Sequence, residues 1–221
     1  MLKARATAKV WWLLLGITIG EGTLLGLTFR AKGDWLSAVW HYVVTPPGRL
    51  PAWILAAAVT AIYALASASR SPVIRAHALQ PWSWRPYVGA CLLAIPMALI
   101  SGIFEEAFFR RALMDGMMHR GSGPVMQVVI SALSFGAVHA IWGVGARNLR
   151  AAAAAMIATG SLGAALAVTY LIGDRSLAPC TASHIAINLA LEPWLIITAV
   201  IGNWKGVALD SPQAVGEWPP R

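Results

Sequence analysis

The sequence predicts an all-α membrane protein, a polytopic bundle of about six or seven transmembrane helices with one short interfacial helix. Three observations carry this reading. Only 12% of the 221 residues are charged and 58% are hydrophobic, with a mean hydropathy of +0.65, whereas soluble domains carry roughly 25% charged residues. The apolar residues fall into runs of membrane length. The basic residues sit almost entirely between those runs, so the net charge of +8 reflects loops anchored at phospholipid headgroups, with no nucleic acid as partner. The chain reads as a single membrane domain, 1–221, whose lipid partner is the bilayer itself. Cys91 and Cys180 both lie in apolar surroundings, which argues against a disulfide or a Cys-rich metal site.

Taken in order, Lys3, Arg5 and Lys9 precede the apolar run Val10–Phe29. That run is about the 20 residues a span needs, and no small-residue cleavage site follows it, so it reads as a retained first span. Glu21 sits within it among Gly16, Gly20, Gly22 and Gly26, which favour close helix contact, and reads first as a polar packing group. In the loop 30–51, Asp34–Val44 sets Trp35, Leu36, Val39, Trp40, Val43 and Val44 on one helical side; too short to span, it suits an interfacial helix. Leu50–Ala68 is the second span, and Ser69–Pro86 a polar loop. The third span, Tyr87–Phe104, contains Pro96, a kink that neighbouring helices must accommodate.

Helical pattern continues past Arg111 to about His119, where Gly121-Ser-Gly-Pro124 breaks it. Val125–Trp142 is the fourth span and Ala151–Ile172 the fifth, with Gly160, Ser161 and Gly163 as a small-residue contact face. Leu177–Leu191 and Pro193–Trp204 follow as either two short helices or one kinked at Pro193. Residues 206–221 are polar and proline-rich, a loose tail. Basic residues before the first span put the N-terminus in the cytoplasm, and counting spans from there turns the end of the third outward.

The chemistry starts at Ser101–Arg111, Ser-Gly-Ile-Phe-Glu-Glu-Ala-Phe-Phe-Arg-Arg, which plants two adjacent acids at the end of an apolar run. A charge in hydrocarbon costs on the order of 3 kcal/mol on insertion scales, so such residues point to function. Glu106 and Arg110 stand four apart and can pair on a helix, while Glu105 points about 100° away. Two further spans bring in His139 and the pair His184 and Asn188, four apart on one face. Unsatisfied buried polar groups cost several kcal/mol each, which favours one shared wet cavity. Carboxylates and imidazoles without a Ser-His-Asp pattern among the nearby hydroxyls (Ser101, Ser134, Ser183) are equipped to activate water.

Glu-Glu-x-x-x-Arg at 105–110, Phe-x-x-x-His at 135–139 and His-x-x-x-Asn at 184–188 resemble, in order, the three motifs of the CPBP family. These are the CAAX-processing and bacteriocin-processing intramembrane proteases, also called Abi or Rce1-like. The resemblance spans about 87–191, which it marks as a catalytic core, and implies cleavage of a membrane-associated protein or peptide precursor near its C-terminus or within it. It implies that Glu105 is the general base, that His139 holds and polarises the attacking water, that His184 and Asn188 stabilise the oxyanion, and that Glu106, paired with Arg110, orients them. No cofactor is favoured, since no His-Glu-x-x-His is present. Under the metal-dependent label the family also carries, Glu105, His139 and His184 would be the ligands of a catalytic zinc. Two other classes stand beside the enzyme, a catalytically silent member serving bacteriocin immunity or as a membrane helper, and a small proton-coupled transporter. The latter often shows inverted repeats, and none is evident. The expected location is the cytoplasmic membrane of a bacterium.

Overall fold

A computed structural model of the chain describes residues 2–30, 34–70, 84–145 and 148–201. The expected polar tail at 206–221 lies outside these, as does most of the loop before the third span. The described backbone holds α1 (Leu2–Phe29), α2 (Trp35–Val44), α3 (Leu50–Arg70) and α4 (Trp84–Glu106). Then come a π-helix (Ala107–Asp115), α5 (Gly116–His119), α6 (Pro124–Gly145), α7 (Leu149–Ile172) and α8 (Leu177–Ile201). No strand occurs among the described residues, as the apolar runs require. Large apolar side chains cover the outside: Val125, Leu149, Ile157 and Leu65 are each about two-thirds or more exposed. Such a surface is stable against lipid and not against water.

Among the described residues four helical segments are long and apolar enough to cross a membrane: Trp12–Phe29, Cys91–His119, Pro124–Ile141 and Leu149–Ile172. The sequence leads one to expect six or seven. The count of four covers the described residues alone; beside it α3 offers the shorter apolar stretch Leu50–Ala66. Pro193 lies inside α8 and Pro96 inside α4. Leu177–Ile201 is therefore one helix. Each proline removes one intrahelical hydrogen bond, and packing against neighbouring helices carries the helix through that gap.

Helices α6 and α7 form the tightest pair. A Cβ on Gly136 would lie 2.6 Å from the Met156 carbonyl oxygen, one on Gly143 would lie 2.2 Å from Ala152 N, and one on Gly163 would meet Phe135 at 3.0 Å. Partners descend along α7 as they ascend along α6, so the pair is antiparallel. Of the expected contact face, Gly160 and Gly163 do the packing, while Ser161 faces outward and bonds the Ile157 carbonyl. In α1 only Gly22 approaches a neighbour, with Ile100 at 3.5 Å; Gly16, Gly20 and Gly26 meet nothing within 4 Å. Replacing Gly136 with Ala is expected to lower stability by about 1–3 kcal/mol through overpacking. Gly116, where a Cβ meets open space, gains helix propensity instead. Thermal unfolding of both variants in detergent checks the opposite signs.

The apolar side predicted for α2 is divided. Val39 and Val43 are buried, Val39 beside Leu25 and Phe29, while Leu36 and Trp40 are exposed. Arg111 fastens this helix to the π-helix: its guanidinium lies 4.4 Å over the Tyr42 ring and donates to the Thr45 carbonyl at 3.1 Å.

The π-helix begins directly after Glu106. Its bonds run to the fifth residue, and such turns are rare and frequent at functional sites. Phe109, Arg110 and Met114 are its buried residues, Phe109 and Met114 being one such turn apart. Met114 joins Leu162, Leu166, Tyr170, Leu177, Cys180 and Ile187 in the main core between α7 and α8. At its end Asp115 accepts from the Tyr170 hydroxyl at 3.0–3.1 Å and pairs with Arg175. Arg175 also donates to Gln127 Oε1 at 2.8 Å.

Candidate active site

The site forms where the ends of α4 and α6 meet the middle of α8. Gly102 lets α8 approach, since a Cβ there would fall 2.7 Å from Ile185 Cγ1. One turn on, Glu106 and Arg110 are both fully buried. Arg110 Nε lies 2.8 Å from Glu106 Oε2 and Nη2 donates to Oε1 at 3.2 Å, a two-pronged pair. Arg110 Nη1 donates to Ser131 Oγ at 2.7 Å. Glu106 Oε1 also lies 3.0 Å from His184 Nδ1. A carboxylate bound to a guanidinium only accepts, so His184 Nδ1 carries the hydrogen. Its Nε2 is bare in the neutral ring and a second donor in the imidazolium.

His139 is fixed the same way, with Nδ1 2.9 Å from the Phe135 carbonyl oxygen. A carbonyl only accepts, so Nδ1 is the donor and Nε2 of the neutral ring is bare. Both Nε2 atoms face Glu105 Oε2, at 3.8 Å from His139 and 3.9 Å from His184. That oxygen is buried and makes no hydrogen bond. Separations above about 3.5 Å are too long for direct hydrogen bonds and of the length that a bridging water spans. Five of the six residues singled out in the sequence thus converge: Glu105, Glu106, Arg110, His139 and His184. Asn188 stands one turn beyond His184 and is held separately, Nδ2 donating to Ser101 Oγ at 3.3 Å. Ser101 in turn donates to the Met97 carbonyl at 2.7 Å.

Residues 87–190 match the family described as type II CAAX prenyl endopeptidase Rce1-like. That segment, a little under half of the chain, is similar to the Rce1-like family. No curated protein and no solved structure matches it. The Rce1-like segment runs from α4 into α8 and contains all six residues above. The match supports an integral membrane protein of the protease class with a membrane-associated substrate.

Three supporting residues of the Rce1-like segment escape sequence reasoning. Phe135 is fully buried, stacks on His139 with centroids 4.6 Å apart, and meets His184 edge-on at 5.6 Å; its place in the Phe-x-x-x-His motif is the one available signal. Ser131, which binds Arg110, and Ser101, which holds Asn188, are ordinary serines in apolar helices. Both cysteines are free. Glu21 and Glu192 also belong to the neighbourhood, since the charges of Glu105 and His184 act on each.

Glu105, His139 and His184 carry donor atoms of the kind zinc takes. Among the described residues no group of three or more His, Cys, Asp or Glu is arranged to hold a metal ion.

Proposed function

We propose that this chain is an intramembrane endopeptidase of the glutamate type, cleaving a membrane-associated protein or peptide precursor near its C-terminus or within it, in the cytoplasmic membrane of a bacterium. The observation that carries this reading is the buried, hydrogen-bond-free Oε2 of Glu105 facing two imidazole Nε2 atoms at 3.8 and 3.9 Å. A water between them donates one hydrogen to Glu105 and the other to the bare Nε2 of His139. Glu105 takes the first proton, the water oxygen bonds to the scissile carbonyl carbon, and the carbonyl π pair moves onto its oxygen.

The resulting oxyanion is met by the Asn188 amide and by His184, which donates from Nε2 as the imidazolium held against Glu106. Each such donor is worth about 3–4 kcal/mol of barrier. Collapse re-forms the carbonyl and breaks the C–N bond, and Glu105 passes its proton to the leaving nitrogen. Glu106, Arg110 and Phe135 touch no substrate in this scheme and serve as positioning residues.

Substrate capture on a Glu105→Gln variant in native membranes tests the reading. The expected result is a trapped membrane-associated protein that the unaltered enzyme cuts, with the new terminus read by mass spectrometry. A captured partner left intact by the unaltered chain would point to a silent helper. Hydrolysis is expected to survive exhaustive chelation, with no stoichiometric zinc co-purifying. One zinc per chain, with activity lost on its removal and restored on its return, would overturn the metal-free mechanism.

A further inference from the structure

His184, Asn188 and Glu192 succeed one another at intervals of four along α8. At about 40° of drift per step they share one stripe of the helix. His184 and Asn188 already serve the proposed reaction, but nothing in that reaction uses Glu192. Its Oε2 is buried and makes no hydrogen bond. A buried carboxylate oxygen without a partner is destabilising unless a counter-charge or donor reaches it. Arg110 is committed to Glu106 and Ser131, and Glu105 handles the proton.

Of the charges around Glu192, His184 is positive but already bound to Glu106 at 3.0 Å, while Glu105 and Glu21 are negative, Glu21 coming from α1, which packs against α4 and α8. Pro193 has no N–H, so the Leu189 carbonyl one turn back loses its helical donor and adds a second acceptor beside Glu192. A carboxylate, a freed carbonyl and a further acid on the facing helix make an acceptor-rich wall along the same stripe as the oxyanion donors.

We propose that Glu192 is a specificity-determining residue of this site, selecting a membrane peptide that carries a lysine, an arginine or a protonated amine near the bond to be cut. This rests on the protease reading above. The substrate cation forms a charge-assisted bond to Oε2, the stronger kind of hydrogen bond. Binding it supplies the partner that the free protein leaves out.

The test uses the full chain in proteoliposomes and paired membrane peptides that differ only by Lys or Gln at each position flanking the scissile bond. The unaltered enzyme is expected to favour one Lys peptide by about 10- to 100-fold in kcat/KM, the range of a hydrogen bond to a charged group. Glu192→Gln should bring that ratio close to one. Glu192→Asp keeps the charge and should keep the preference, which serves if the Gln variant fails to fold. An unaltered enzyme indifferent to the charge overturns the proposal, as does a Gln variant that retains the preference. Gln resembles a protonated acid, so retention would mark Glu192 as a neutral packing group. An equal loss on both peptides would instead point to a general role in turnover and also overturn it. If the unaltered chain cleaves none of the peptides and no captured substrate, the protease reading falls first and takes this one with it.

Discussion

Glu105→Gln is expected to reduce turnover on the order of 1,000-fold while the protein stays folded in detergent. The substitution keeps size and polarity but removes the proposed base, and a positioned base contributes roughly 100- to 10,000-fold. Glu105 makes no hydrogen bond through Oε2, so the exchange breaks no direct bond at that atom. His139→Ala, His184→Ala and Asn188→Ala should each cost about 100-fold or more, since in the proposed reaction they orient the water or meet the oxyanion. The measurement is single-turnover cleavage in proteoliposomes, with thermal unfolding as the control for folding. A variant with near-normal turnover leaves the catalytic set.

Arg110→Met is expected to have the largest effect on stability. It leaves the Glu106 carboxylate, fully buried, with His184 as its remaining partner in place of the two-pronged guanidinium. Removing one member of a buried ion pair costs about 3–5 kcal/mol, because an uncompensated charge is left behind. Lys should rescue poorly, since it cannot reproduce the fork that reaches Glu106 twice and Ser131 once. The double variant Glu106→Gln/Arg110→Met should recover much of the loss, because neither charge is then buried alone. Thermal unfolding in detergent of the two single variants and the double closes the cycle; additive effects would show that the pair is not coupled.

These residues were legible because ionisable side chains stand out in apolar helices. Glu105, Glu106, Arg110, His139 and His184 could be named together because leaving any one unpartnered in hydrocarbon is unfavourable. Asn188 came with the His-x-x-x-Asn spacing. Ser101 and Ser131 were not legible, because a helical serine usually bonds its own fourth-back carbonyl. Ser101 does so while also receiving Asn188, and nothing local separates the two uses.

Glu192, next to the helix-interrupting Pro193, carries no motif of its own, and only the assembled bundle puts it near Glu105. The unbroken course of α8 through Pro193 was likewise undecidable from the sequence, since packing settles it. On α2 the periodicity put Leu36 and Trp40 on one side with Val39 and Val43, and only the packing of Val39 against Leu25 and Phe29 separates the buried pair from the exposed one.

The π-helix after Glu106 has a rotational meaning. Nine residues of α-helix sweep about two and a half turns, which would set Asp115 on the side opposite Glu106. The wider turn takes in close to one more residue each time round, so the same nine residues complete about two turns and bring Asp115 back beneath Glu106. The span thus points the same way at both ends, with the carboxylates toward His139 and His184 at one end and Asp115 toward Tyr170 and Arg175 at the other. Torque about the long axis at either end is resisted at the other. The grip of Arg175 and Tyr170 on Asp115 acts as a stop that holds the Glu105 face to its angle.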